Sequence, residues 1–376
     1  ALASKATGFP IARCSAKLAV GYTLDEVLNE ITGKTASCYE PALDYCAVKV
    51  PRFELEKFPL PYSALGTQMR SVGEALSLGR TALEALNKAI RASERKLEGL
   101  VDLKDAGYDD EEIDNFLHSA HPLRLLAAYT AIVRGTHTLK DINQITGFDP
   151  WFLHQLQRQA RLDARLANEK LEYDLLLEAK RYGMSDKRIG QLAGMDERQV
   201  YELRQKLRMF AVAHHVDTCA GEFKASTPYC YTTYGETDET HPLGEQAVII
   251  IASGPNRIGQ GLEFDTCCTL SSLAWRKLGV KTIMVNSNPE TVSTDFNTSD
   301  RLYIEPLTAE HVKEIMRLEG TRNVIVQLGG QTPLNMAGEL EAAGARILGT
   351  SPHVESEILR SEMFSPFGSF TRRRKR

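Results

Sequence analysis

The spacing of apolar positions changes along the chain, and the changes mark out three regions. In residues 1–95 helix and strand signals mix. Pro10 to Val20 reads as a helix, and Thr23-Leu24-Asp25-Glu26 has the form of a capping box opening a second short one. Tyr45 to Phe53 alternates as a strand does. Thr81-Ala82-Leu83-Glu84 caps a further helix, with Leu83, Leu86 and Ile90 on one face. Residues 96–212 carry helical signal throughout and no strand pattern. Leu123 to Val133 runs up to Gly135. Asp149-Pro150 places an N-cap before a proline at the first helical position, opening a helix from Trp151 to Leu166. Gly183 and Gly194 punctuate two more. Residues 213–352 switch period again. Val248 to Ala252 is the short apolar run of a strand buried on both faces. A helix follows from Leu262 to Leu278. Then come strand Thr282 to Asn286, helix Ala309 to Leu318, strand Asn323 to Gln327, helix Pro333 to Ala343 and strand Arg346 to Leu348. Strands alternating with helices predict a parallel sheet. The fold class expected is α/β plus all-α, with residues 353–376 as a tail.

Composition narrows the classes. At 376 residues and 43% apolar, the chain can bury two or three cores. A net charge of -4 with 25% charged residues argues against a general nucleic-acid or membrane-surface binder, so neither partner is expected. No apolar run approaches the roughly 18 residues of a membrane span, and the start has no signal-peptide pattern. The seven cysteines are Cys14, Cys38, Cys46, Cys219, Cys230, Cys267 and Cys268. Their odd number and the lack of any C-x-x-C argue against a disulfide framework or a metal site. A reducing, cytoplasmic setting fits, with an organelle of a eukaryotic cell the other option. Cys267 and Cys268 are expected to be small buried hydrophobes. The opening ALASKATG and the closing SPFGSFTRRRKR read as a chain cut short at both ends. The basic tail has two other readings, a solvated tail and a nuclear address.

The candidate chemistry lies in VIIIASGPNRIGQGLEFD, residues 248 to 265. Gly254 and Gly259 have the spacing of a phosphate-binding loop, with Asn256 and Arg257 between them. Gln260-Gly261 then stands where Lys and Ser or Thr would hold phosphates and magnesium. A dinucleotide fingerprint starting at Gly259 and Gly261 would need glycine where Phe264 stands. Asn286 and Asn288 end the next strand, where an acid would hold a ribose. A second glycine loop, Gly329-Gly330-Gln331-Thr332, follows a later strand. Both loops belong at the carboxyl ends of parallel strands, where open α/β sheets place ligands. The glycines serve either anion-facing backbone amides or tight turns alone, and both readings stay open here.

Three strings then act together: GPNRIGQGLEFDTCC, NSNPETVSTDFNTSDRLYIEP and VQLGGQTPLN. They resemble the start of the second synthetic half of the carbamoyl-phosphate synthetase large chain. ALASKATGFPIARCSAKLAVGYTLDEV and QMRSVGEALSLGRT resemble the end of that family's first ATP-grasp half. FDPWFLHQLQ falls in a region resembling its helical oligomerisation domain. The resemblance covers residues 1 to about 365. It implies a C-terminal ATP-grasp remnant of α+β type over 1–95, an oligomerisation domain over 96–212, a Rossmann-like pre-ATP-grasp domain over 213–352, and a truncated tail over 353–376. It implies the family's reaction, carbamoyl phosphate from bicarbonate, ammonia and two ATP, feeding arginine and pyrimidine synthesis. It also implies an internal tunnel for carbamate, with Glu263 and Glu290 as tunnel carboxylates. From the residues alone, Glu263 reads as a first-turn acid complementing a helix dipole, and only the resemblance favours the tunnel role; Asp265 and Asp295 read as caps or loop hydrogen bonders. ATP with Mg or Mn is the cofactor the family implies. Its ligands would lie before ALASKATG and after SPHVESEILRSEMF, so no complete catalytic site is expected within this chain. The implied partners are a glutaminase small chain or domain, and further copies through the helical region.

Two rivals remain. SDKRIGQLAGMDERQVYELRQKLR, residues 185 to 208, mimics a DNA-binding helix-turn-helix with Arg198, Arg204, Lys206 and Arg208 on its second helix. Asp196 and Glu197, at that helix's start, oppose phosphate contact, and a helical hairpin explains the same pattern. The other rival is a non-catalytic scaffold.

Overall fold

The computed structural model describes residues 20–28, 34–39, 43–57, 65–217 and 227–349. The helix expected from Pro10 lies outside them, Val20 excepted, as do Cys14, Cys219 and the tail. Thr23-Leu24-Asp25-Glu26 forms a turn and not the expected helix. Glu26 Oε2 accepts from Thr23 N–H at 2.9 Å, so the box closes on itself. Val20, Tyr22, Leu24 and Leu28 are exposed, and among the described residues of the segment Val27 is the buried apolar side chain, little to offset the cost of nucleating a helix.

β1 (Cys46–Arg52) occupies the alternating segment and pairs antiparallel with β2 (Gly73–Gly79). Thr81 Oγ1 accepts from Glu84 N–H at 3.2 Å and starts α1 (Ala82–Ala92). The reciprocal arm goes elsewhere, because Glu84 Oε2 takes Arg80 N–H at 2.7 Å.

The helical part follows as α2 (Asp110–His118), α3 (Arg124–Arg134), α4 (Leu139–Thr146) and α5 (Pro150–Asn168). It continues as α6 (Tyr173–Arg181), α7 (Asp186–Ala193) and α8 (Glu197–Lys206). Asp149 caps α5 as expected, and α3 and α7 end at left-handed Gly135 and Gly194. One core joins Leu83 and Ile90 of α1 to Leu103, Leu117, Tyr129, Ile142, Leu153 and Leu156. A second core, with Leu166, Leu176, Ile189 and Val200, closes the far end.

The remaining elements are β3 (Val212–His215), β4 (Tyr229–Thr233), β5 (Val248–Ile251), α9 (Leu262–Lys277), β6 (Thr282–Val285) and β7 (Arg301–Tyr303). They end with α10 (Ala309–Glu319), β8 (Asn323–Ile325), α11 (Gln331–Ala342) and β9 (Arg346–Ile347). The seven strands lie in the order β3-β4-β7-β6-β5-β8-β9. Neighbours are parallel, as expected, except the edge pair β3 and β4, which is antiparallel. Alternate residues of β5 serve two cores. Ile249 and Ile251 join Val312, Ile315 and Leu340, from α10 and α11. Val248 and Ile250 join Cys268 of α9 and Leu76 and Leu78 of β2. Each such side chain contributes about 1.5–3 kcal/mol on burial. The β1–β2 pair is thereby fixed against the parallel sheet, and Leu76 N–H bonds Ser287 O at 2.8 Å. Cys268 is buried as expected, but Cys267 is exposed, because adjacent helical positions point about 100° apart.

Buried ion pairs join the parts. Lys88 Nζ lies 2.8 Å from Glu305 Oε1. Lys180 meets Asp186 at 3.0 Å and Glu310 at 2.5 Å. Arg204 meets Asp186 at 2.6 Å and Glu314 at 3.0 Å. Arg204 of α8 is fully buried in this cluster, so the basic residues of the helix-turn-helix mimic do not form one exposed face.

Candidate functional site

The expected loops do meet at the carboxyl ends of β5, β6 and β8. Asn286, wholly buried at the end of β6, is the joint between the first two. Its Oδ1 accepts from Gly254 N–H and Asn288 N–H, both at 3.1 Å. Its Nδ2 donates to Asp265 Oδ1 at 3.2 Å and to Ser293 Oγ at 2.9 Å. Asp265 Oδ1 also accepts from Ser253 N–H at 3.3 Å and Ser293 Oγ at 3.2 Å. Asp265 is therefore a loop hydrogen bonder, the reading made from sequence, and burial pushes its carboxyl up. Asn288 Nδ2 reaches Asn256 Oδ1 at 3.4 Å.

Gln260 joins the first loop to the third. Its Nε2 donates to Ser253 O at 3.3 Å and Gly329 O at 3.4 Å. Its Oε1 accepts from Arg257 Nε at 3.0 Å, and Arg257 Nη2 also donates to Thr332 Oγ1 at 3.2 Å. Gly329 is required by close approach: a Cβ there would lie 2.5 Å from the Ile251 and Ala252 carbonyl oxygens. Gly330 and Gly261 are the N-caps of α11 and α9. Gln331 turns along its own helix to Asn335 Oδ1 at 2.8 Å. Gly259 is left-handed at φ 88° in the turn that Arg257 and Gln260 close by paired backbone hydrogen bonds.

The two expected tunnel carboxylates sit in unlike places. Glu263 is exposed in the first turn of α9, and its Oε1 accepts Gly261 N–H at 3.0 Å. That bond holds its carboxyl below the usual range. Glu290, in the loop after β6, faces β1 and β2. Lys49 Nζ donates to Glu290 Oε1 at 3.1 Å and also pairs with Glu74. Burial, reinforced by Glu290, raises the Glu74 carboxyl against the pull of Lys49. Burial also acts to raise Glu290, but hydrogen bonds from Glu74 and Lys49 outweigh it and its pKa falls. Among the described residues no hydrogen bond joins Glu263 to Glu290.

Sequence reasoning missed the other wall of the site. Glu94, mostly buried, lies 3.4 Å from Arg257 and 3.6 Å from Arg52. Glu54 Oε2 accepts Ile258 N–H at 2.8 Å. Lys49, Glu54, Glu74 and Glu94 come from the first region, and only the packing of β2 on the sheet brings them to the loops. The assembled surface is polar and cross-linked by hydrogen bonds between its loops, while Glu74 Oε1, both carboxylate oxygens of Glu94 and Asp265 Oδ2 are buried without one. It offers carboxylates and amides, and the loop amides are largely spoken for by side chains of this chain.

A model of the carbamoyl-phosphate synthetase large chain oligomerisation domain matches residues 74–208. A model of the carbamoyl phosphate synthase preATP-grasp domain matches residues 244–356. The carbamoyl phosphate synthase large chain of Neisseria meningitidis serogroup B is 49% identical over 355 residues, covering 93% of this chain and 33% of its own. That of Gemmatimonas aurantiaca is 50% identical over 361 residues, covering 94% and 33%.

The chain belongs to the carbamoyl-phosphate synthetase large-chain family.

It spans about a third of the length of the curated relatives it matches. The site loops of β5, β6 and β8 all fall within the match to the family's preATP-grasp domain, and α1 to α8 within the match to its oligomerisation domain. Among the described residues no helix is long and apolar enough to cross a membrane.

Proposed function

We propose that this chain is the central part of a carbamoyl-phosphate synthetase large chain, and that its three glycine and asparagine loops form a stretch of the wall guiding carbamate between two ATP-dependent steps. The observation that carries the reading is the polar seam between β1–β2 and the sheet loops. There Glu290, Glu74 and Lys49 face one another at a junction of two regions. A small polar intermediate needs hydrogen-bonding walls and no nucleophile, and a seam of carboxylates and amides supplies that. Glu290, partly exposed with its carboxylate held ionised, is the residue we place against the path. Glu263 is placed at the end of the β5 loop, and Asn256, Arg257 and Gln260 keep the wall rigid.

The loops do not fit a nucleoside triphosphate. Gln260 and Gly261 replace the cation and hydroxyl such a site needs, and Arg257 is committed to Glu94, Gln260 and Thr332. In this reading ATP and its Mg or Mn bind on flanking segments of the full-length enzyme, and the chain alone has no turnover. The regions 1–95, 96–212 and 213–352 then serve as ATP-grasp remnant, assembly domain and pre-ATP-grasp domain. Ammonia comes from a glutaminase chain or domain, and product feeds arginine and pyrimidine synthesis in the cytoplasm. Self-association through the helical region finds support in Trp151 and Phe152, stacked edge to face and more than half exposed on the first turn of α5.

The test is the intact mass of the native protein from its source cells, recognised by a peptide from residues 96–212. A mass far above 41.8 kDa, with ATP-grasp peptides on both flanks, is the expected result. A native mass near 41.8 kDa would replace the enzyme reading with a scaffold.

A further inference from the structure

Away from these loops, three side chains far apart in sequence converge at one edge of the sheet. β3 is the edge strand. The segment through Glu239 closes along it, with Glu239 N–H bonding Ala213 O at 2.9 Å and Glu239 Oε2 accepting His215 N–H at 2.9 Å. The first region reaches the same edge where Tyr45 packs on Tyr231 of β4 at 6.5 Å between ring centres. Asp44, beside Tyr45, has its carboxylate held by Arg80 at 2.5 Å. His214 lies between these parts, cross-strand from Tyr231, and is only 5% exposed.

We propose that Asp44, His214 and Glu239 form a divalent metal site that takes a borderline transition-metal ion, Zn²⁺ foremost. One donor atom from each residue lies within 4.8 Å of the other two. His214 Nδ1 is buried and makes no hydrogen bond, although Glu239 Oε1 is 3.1 Å away. Two donors bound to one ion at about 2.0–2.1 Å, at tetrahedral or octahedral angles, stand about 2.9–3.4 Å apart. The 3.1 Å spacing without hydrogen-bond geometry is thus the spacing of adjacent ligands on one ion. A buried imidazole nitrogen left bare costs stability, and a metal ion satisfies it together with both carboxylates. One imidazole with two carboxylates is a donor set that suits Zn²⁺ or a neighbouring transition ion better than a hard cation. The carboxylates of Asp44 and Glu239 are 49% and 40% exposed, so the ion is reached from solvent and its remaining positions take water. Bound there, it would staple the segment before β1 and the segment through Glu239 to the edge strand. Counting cysteines passed this site over, because none of its ligands is a thiol.

The experiment uses the full chain freed of metal by chelation, titrated with Zn²⁺ calorimetrically and with Co²⁺ optically, and melted with and without each ion. The expected result is one Zn²⁺ per chain, a higher Tm with the ion, and a Co²⁺ spectrum lacking thiolate charge transfer. His214→Gln should lower affinity by about tenfold or more. Should His214→Gln fail to fold, Asp44→Asn alters an exposed side chain and should weaken binding alone. No saturable binding would overturn the site. So would binding unchanged in the folded variants, or a Co²⁺ spectrum dominated by thiolate, which would point to Cys38 or Cys267.

Discussion

Gly73→Ala tests the seam that carries the functional reading. Gly73 opens β2 and faces the backbone of Asn256 in the first glycine loop. A Cβ at residue 73 would lie 2.7 Å from Asn256 N and still nearer its carbonyl oxygen. Both atoms are backbone, so no side-chain rotation relieves the clash. Gly73 does not have a left-handed φ. In open space Gly→Ala at such a position would therefore stabilise by about 0.4–1 kcal/mol, through the unfolded chain. Inserting a methyl into a packed site costs about 1–3 kcal/mol. The net prediction is a loss of about 1–2 kcal/mol, or about 2–8 °C in Tm. Hydrogen exchange in residues 253–261 should rise at the same time, because the loop must move. Gly66→Ala is the control, since a Cβ there meets nothing within 4 Å. A Gly73→Ala variant as stable as Gly66→Ala, with unchanged exchange, would refute the close approach of β2 to the loop.

Asp186→Ala removes the common partner of Lys180 and Arg204, both almost fully buried. Breaking such a cluster from one side costs about 3–5 kcal/mol, and urea unfolding followed by circular dichroism should show it. A loss below about 1 kcal/mol would mean that the cluster is hydrated in solution. Glu84 gives a pH signature. Burial, partly opposed by Lys88, pushes its carboxyl up to about 7 in the fold, against 4.5 for the free side chain. The raised folded value favours folding below the unfolded pKa, and that contribution is lost as pH climbs through 7. Relative to Glu84→Gln, the wild type should lose about 2–4 kcal/mol between pH 4.5 and 8. Parallel stability profiles for the two proteins would contradict this.

What could be read from sequence divides by physical cause. β5, β6 and β8 were legible because strands buried on both faces are apolar runs, and Thr81 and Asp149 because caps are local chemistry. β2, GEALSLG, has too much glycine and serine to announce a strand. β3 and β4 carry His, Tyr and Thr in place of an apolar run. The capping box at Thr23 is legible as hydrogen bonding but forms a turn and not a helix over the described residues, where most apolar side chains are exposed and propagation gains little burial. In the site, the glycine loops were legible as turns at strand ends. Glu74, Glu94 and Lys49 were not, since their role exists only once β2 lies on the sheet. Glu263 shows the limit of spacing: its visible contact is with its own helix terminus, as a first-turn acid would make.

The placement of Glu290 on the carbamate path is tested by the coupling ratio of the full-length enzyme carrying Glu290→Ala, measured as ATP hydrolysed per carbamoyl phosphate formed. We predict that this ratio rises well above the wild-type value while bicarbonate-dependent ATP hydrolysis persists, because carbamate escapes at a damaged wall. A ratio equal to that of the wild type, with normal product formation, would contradict the placement of Glu290 on the carbamate path.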